Sequence, residues 1–190
     1  MFQKLFGRTF VYAFSIMLAT SLLSAATVFT PVAYAAALWF LVVVMAALVV
    51  WRLDIAVLAV FGELIVGSQG HLFATHVHGF TLSIRLVFFL LVFTALTIRL
   101  IRQKRIRDIA KQPGRWWLCA LIMIILGGAA YGIARGNAVA DVFFDANGFL
   151  FLGLTLVLAP QLRELIGLDR LAQVLLAGIF FLGLQAAMIL

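Results

Sequence analysis

The sequence predicts an all-α fold, a polytopic transmembrane helical bundle of about seven spans with its amino terminus in the cytoplasm. Of the 190 residues, 66% are hydrophobic and only 11% are charged, and the mean hydropathy is +1.20. Such a chain has too few polar side chains to cover a water-soluble globule. Apolar runs of about 20 residues, enough for a helix to cross roughly 30 Å of hydrocarbon, recur along it. They lack the two-residue alternation of barrel strands, which favours helices.

The seven predicted spans follow the apolar runs in order. They comprise residues 9–29, 32–51, 54–67, 80–100, 116–134, 149–162 and 171–190. Pro31 marks a tight turn that makes the first two spans a hairpin, and the third span is short. In the fifth span Gly128 and Gly132, four residues apart, permit the close approach of another helix.

All 190 residues form a single predicted transmembrane domain. The last apolar run stops at Leu190 without a polar or aromatic flank. We therefore expect this domain to be the amino-terminal part of a longer protein. The single cysteine excludes a disulfide framework.

A basic run sets the predicted topology. Residues 99–115 hold seven of the fourteen Lys and Arg residues of the chain. Lys and Arg in short loops stay on the cytoplasmic side of a membrane, and alternating spans then place twelve of the fourteen there. Two other roles remain open for the run: a nucleic-acid patch or a contact with anionic lipid headgroups, with Ile101, Ile106 and Ile109 on the membrane surface.

Glu63 in the third predicted span and Arg85 in the fourth both fall in the outer half of the membrane. An ionisable group at that depth is costly unless it is paired or hydrated, and so it is a functional candidate. We expect an ion pair between them beside an outward-facing cavity. The pair either fixes helix packing or leaves Arg85 to bind substrate; alternatively, Arg85 reaches the interface alone.

Two outer connections carry weaker candidates. Arg135, followed by Asp141, Asp145 and Asn147, has the planar fork of donors that binds diphosphate, although the two carboxylates can neutralise it. His71, His76 and His78 belong to the connection after the third span, but no cysteine completes a metal-ligand set. We therefore predict no metal and no cofactor. The candidate substrate-binding residues are Arg85, Arg135 and Glu63.

Three stretches resemble the amino-terminal half of the O-antigen ligase and O-antigen polymerase superfamily of bacterial envelope proteins. They are "RLDIAVLAVFGELIVGSQGHLF", "GFTLSIRLVFFLLVFTALTIRLIR" and "GNAVADVFFDANGFLFLGL". The resemblance implies a multi-pass protein of the bacterial inner membrane. It further implies transfer of a glycan from an undecaprenyl-diphosphate carrier to a lipid or sugar acceptor on the periplasmic side. The expected partners are membrane lipids and that carrier-linked glycan, with no nucleic acid.

The chain departs from this family in length. Family members are roughly twice as long, and their catalytic arginines and histidine lie mainly in a large outer loop that this chain lacks. No catalytic residue is therefore assigned, and whether the chain is itself an enzyme stays open. A membrane transporter or lipid-carrier flippase subunit and a non-catalytic envelope-assembly scaffold are the alternatives.

Overall fold

The computed structural model describes residues 6–27, 29–66, 73–77 and 80–189. It is a bundle of helices with one small β-hairpin. The helices are α1 (Arg8–Thr27), α2 (Pro31–Trp51), α3 (Leu53–Val66), α4 (Ile84–Arg102), α5 (Ile106–Ala110), α6 (Arg115–Ala134), α7 (Val139–Asn147), α8 (Leu150–Leu158), α9 (Leu162–Leu165) and α10 (Leu168–Ile189). The hairpin pairs β1 (Ala74–Val77) with β2 (Phe80–Ser83) in antiparallel register.

Five helices in the described part of the chain are long and apolar enough to cross a membrane: α1, α2, α4, α6 and α10. The predicted helical membrane-protein fold is confirmed at this level. Helix α3 has 14 residues, which is about 21 Å, shorter than a hydrocarbon layer of roughly 30 Å. The count of seven spans and the cytoplasmic amino terminus stay predictions.

The sixth predicted span is broken, and Pro160 explains why. Helix α8 ends at Leu158, and a 3-10 turn over Ala159–Gln161 leads into α9. Proline has no N–H to donate to the carbonyl four residues earlier, that of Leu156. The side chain of Gln112 donates to that carbonyl instead, at 2.9 Å. A continuous helix at this point was the wrong prediction.

Gln161 satisfies two further carbonyls at the break. Its side chain is fully buried, and its amide Nε2 donates to Val157 O at 3.0 Å and to Leu96 O at 3.3 Å. A carbonyl buried away from water needs such a partner. The amide therefore joins the broken helix to α4.

Two boundaries differ from the sequence prediction. Residues 80–83 form β2 rather than the start of a span, because Ser83 caps α4 by accepting a hydrogen bond from Leu86 N. Residues 139–147 form the short helix α7 rather than an irregular connection. Val139, Val142, Phe143 and Ala146 recur at the spacing of one helix face, which favours this helix.

The main hydrophobic core lies between α1, α2, α3, α4, α8 and α10. Its most buried side chains include Val57, Val60, Val92, Leu96 and Phe181. Helix α6 lies outside this core and buries none of its residues. Of the two glycines predicted to permit close helix approach in α6, Gly132 lies close to α7, since a Cβ added there would be 3.3 Å from Val142 Cγ2, whereas a Cβ added at Gly128 would meet no atom of another described segment within 4 Å.

Candidate functional site

Glu63 and Arg85 form the predicted ion pair. Arg85 Nε donates to Glu63 Oε2 at 3.2 Å, which joins α3 to α4. Both side chains are largely buried, with 15% of Glu63 and 22% of Arg85 exposed. Whether the pair contacts a substrate is a separate matter that stays a prediction.

The start of α4 fixes the position of Arg85. Ser83 caps the helix, and Ile84 N donates to Phe73 O at 2.9 Å, so the backbone on both sides of the helix start is held. Arg85 is the second residue of the helix, and its side chain reaches α3. The Nε atom is used by Glu63, while Nη1 and Nη2 have no hydrogen-bond partner among the described residues.

A cavity of about 540 Å³ lies beside the pair. Side chains of α1, α2 and α3 form most of its wall, which is predominantly apolar, and Glu63 contributes a charged group to it. The volume falls in the range of about 300–1,000 Å³ typical of small-molecule sites. The cavity differs from the predicted outward-facing pocket because it follows nearly the whole of α3, from Ile55 to Val66.

A second ionic cluster lies at the opposite end of the cavity. Asp54 accepts hydrogen bonds from Arg52 Nε at 3.1 Å and from Arg170 Nη1 at 3.1 Å, and both arginines line the cavity. Sequence reasoning missed this cluster, since 116 residues separate Asp54 from Arg170. The feature of the sequence that could have indicated this cluster is that Arg52, Asp54 and Arg170 all lie at the ends of predicted spans.

Arg105 anchors the basic run to the broken helix. Its guanidinium donates to Asp108 Oδ2 at 2.8 Å, to Glu164 Oε2 at 2.7 Å and to Pro160 O at 3.1 Å. Hydrogen bonds to the carboxylates of Asp108 and Glu164 raise the pKa of Arg105 above its usual value. We call these contacts, together with the Gln112 to Leu156 hydrogen bond, the Arg105 clasp.

The other predicted substrate contact, Arg135, lies elsewhere. It is exposed after the end of α6 and does not line the cavity; its guanidinium carbon lies 5.7 Å from the centre of the Tyr131 ring. In the described part of the chain no ion pair joins it to Asp141 or Asp145. The structure therefore does not bring Arg135 to the Glu63–Arg85 pair.

The histidine candidates fall mostly outside the described residues. His71 and His78 lie there, and only the backbone of His76, in β1, is described. Among the described residues no group of three His, Cys, Asp or Glu side chains is placed to hold a metal ion.

Comparison of the chain with protein-family models, with curated proteins and with solved structures finds no match. A proposal for its function therefore depends on the geometry of its own residues and on the resemblance of its sequence.

Proposed function

We propose that this chain is a multi-pass protein of the bacterial inner membrane, of O-antigen ligase or polymerase type, that binds an undecaprenyl-diphosphate-linked glycan. The observation that carries the proposal is Arg85, a cation held in a largely apolar bundle with two guanidinium nitrogens unused within the described residues. Glu63 holds it in place. In this proposal the amino terminus is cytoplasmic and all seven predicted spans cross the membrane.

The pair and the cavity suit an amphiphilic ligand. The apolar cavity accommodates the part of the isoprenoid chain nearest the diphosphate, since burying apolar surface is favourable. A guanidinium fork binds phosphate oxygens with two parallel hydrogen bonds. Arg85 Nη1 and Nη2 are the donors we assign to the diphosphate, and Ile84 and Phe88 on either side of Arg85 line the cavity.

The carboxylate of Glu63 sets a limit on binding. A phosphate bound beside Glu63 is repelled by the Glu63 carboxylate. This repulsion is offset only where Arg85 contacts both the phosphate and the carboxylate. In this proposal Arg85 binds the diphosphate of the carrier.

Binding of undecaprenyl diphosphate to the purified full chain in detergent tests this proposal, with native mass spectrometry as the readout. We expect Arg85→Gln to weaken binding about tenfold or more, because a charge-assisted hydrogen bond contributes about 1.5–3 kcal/mol. Arg135→Gln, which removes an equal charge away from the Glu63–Arg85 pair, is the control for net charge and retains binding, and circular dichroism checks that the Arg85→Gln variant keeps its helix content. Equal binding by the Arg85→Gln variant and the unmodified chain would overturn the proposal.

The function beyond binding has its own test. Deletion of the gene in its native host, followed by electrophoresis of envelope glycans, distinguishes the classes. Loss of glycan-bearing lipid, with carrier-linked glycan accumulating on the periplasmic side, supports a ligase or polymerase. Accumulation on the cytoplasmic side supports a flippase subunit instead.

A further inference from the structure

The basic run carries a cluster of cations that the described residues do not neutralise. Arg102, Lys104, Arg107 and Lys111 are all exposed, and none makes an ion pair within the described part of the chain. We call these four residues the basic platform. The neighbouring acidic side chains of Asp108 and Glu164 are already bound by Arg105.

The backbone beneath the platform is held in one shape. Lys104 has a φ of +55°, in the left-handed region, which costs a non-glycine residue about 1–2 kcal/mol. The left-handed residue ends α4 in a Schellman motif, in which Lys104 N donates to Ile101 O and Arg105 N donates to Leu100 O, each at 3.0 Å. The Arg105 clasp begins at the next residue and fixes the loop to the α8–α9 segment through Glu164, Pro160 and Leu156.

One face of α5 is packed against the protein and the other is exposed. Ile109 packs against the main core, whereas Arg107 and Lys111 are exposed. A topology signal needs positive charge in this loop but no fixed loop shape. The clasp therefore presents the four cations on a loop of defined shape, which a ligand can recognise.

Apolar side chains interleaved with the cations identify the kind of ligand. Ile101, Ile106, Trp116 and Trp117 are exposed, Trp117 by 83%. Tryptophan is enriched at the level of lipid headgroups, and isoleucine beside lysine and arginine is typical of surfaces that enter the membrane interface.

We infer that the basic platform is a binding site for the headgroup of an anionic phospholipid in the adjoining leaflet. Four cations bind phosphate oxygens, and the neighbouring isoleucines and tryptophans contact the acyl chains below. The site lies at the end of the bundle that carries Arg52, Asp54 and Arg170, away from the Glu63–Arg85 pair. It does not depend on the glycan-transfer proposal.

Brominated lipids provide a direct test on the full chain reconstituted in vesicles. Trp39→Phe and Trp51→Phe leave Trp116 and Trp117 as the fluorophores beside the platform. Each Lys or Arg near a surface contributes about 1 kcal/mol to the attraction of anionic lipid, so we expect brominated phosphatidylglycerol to associate about fivefold or more tightly than brominated phosphatidylcholine. Equal quenching by the two lipids would overturn the inference.

Two double variants locate the site. Arg107→Gln with Lys111→Gln removes two platform charges, and we expect most of the phosphatidylglycerol preference to be lost. Arg8→Gln with Arg135→Gln removes two exposed charges that lie outside the basic run and the clasp, and we expect the preference to remain. An equal loss in both would assign the effect to net charge and overturn the site.

Arg105→Lys tests the clasp without changing the charge. Lysine cannot reproduce the three-way contact of the guanidinium, so we expect a preference at least about twofold lower at unchanged helix content. An unchanged preference would refute the role of the clasp. Displacement of phosphatidylglycerol by an RNA oligonucleotide would assign the platform to nucleic acid.

Discussion

Helix α3 carries two carboxylates in ion pairs, which are similarly buried, 18% of Asp54 and 15% of Glu63 being exposed, whereas the exposure of their arginine partners differs sharply. Asp54 in its first turn binds Arg52 and Arg170, whose side chains are 59% and 50% exposed. Glu63, nine residues further along and about 14 Å away by helix rise, binds an Arg85 that is only 22% exposed. The same chemistry therefore occurs in two dielectric environments on one helix.

This contrast predicts that the two ion pairs contribute differently to the free energy of unfolding. In water, an exposed pair gains little because solvent screens it. In a largely apolar bundle, removal of one partner leaves a charge that is neither paired nor hydrated. A single substitution in the Glu63–Arg85 pair should therefore lower the free energy of unfolding strongly, whereas one in the Asp54 cluster should lower it little.

The largest effect is expected at Glu63. Glu63→Ala strands the Arg85 guanidinium, and we expect the free energy of unfolding to fall by about 3 kcal/mol. The measurement is reversible unfolding by sodium dodecyl sulfate, followed by circular dichroism. The double variant Glu63→Leu with Arg85→Leu removes both charges, and we expect it to lie within about 1 kcal/mol of the unmodified chain. A double variant as unstable as Glu63→Ala would contradict this account.

An intermediate effect is expected where α10 packs on α3, two residues beyond Glu63. A Cβ added at Gly178 would lie 2.6 Å from Ile65 Cγ2 and 2.7 Å from Ile65 Cδ1. Isoleucine is branched at Cβ and cannot move Cγ2 aside freely, so Gly178→Ala should cost about 1–3 kcal/mol. The same unfolding measurement applies.

Gly183 supplies the control for that substitution. It lies on α10 as well, and a Cβ added there would have no atom of another described segment within 4 Å. Gly183→Ala should therefore leave the unfolding free energy unchanged or raise it slightly. Gly178→Ala combined with Ile65→Ala should cost less than the sum of the two single changes, and strict additivity would count against the contact.

The smallest effect is expected at Asp54. Asp54→Ala breaks two exposed ion pairs, each of which contributes about 0–1 kcal/mol and is screened by salt. We expect a loss of about 1 kcal/mol or less in low salt that shrinks further at high salt. A loss matching that of Glu63→Ala, measured side by side, would erase the contrast between the two carboxylates.

The Glu63–Arg85 pair was predictable because local sequence already restricts both residues. Each is an ionisable group in an apolar run, and the short connection between the runs brings them to similar depth. The Asp54 to Arg170 contact was not predictable, since nothing in either segment specifies its neighbour across the bundle. No sequence pattern indicated the extent of the cavity between α1, α2 and α3, which depends on how those helices cross.

The break between α8 and α9 was predictable only in part. Pro160 alone signals the loss of one backbone donor. That Gln112 replaces the donor, and that Gln161 bonds the next carbonyl and Leu96, depends on where α4 and the basic run lie. A hairpin at 74–83 likewise escaped prediction because its strands are only four residues each.

Composition and apolar run length were enough to specify a helical membrane protein, because a backbone in lipid must satisfy its own hydrogen bonds within each helix. They also specified most helix boundaries and the similar depth of the two paired charges. Helix packing was needed to establish which helices bury their surface and which, like α6, do not. It was needed as well for the contact of Arg105 with Glu164 and for the cavity along α3, because these depend on contacts between segments far apart in the chain.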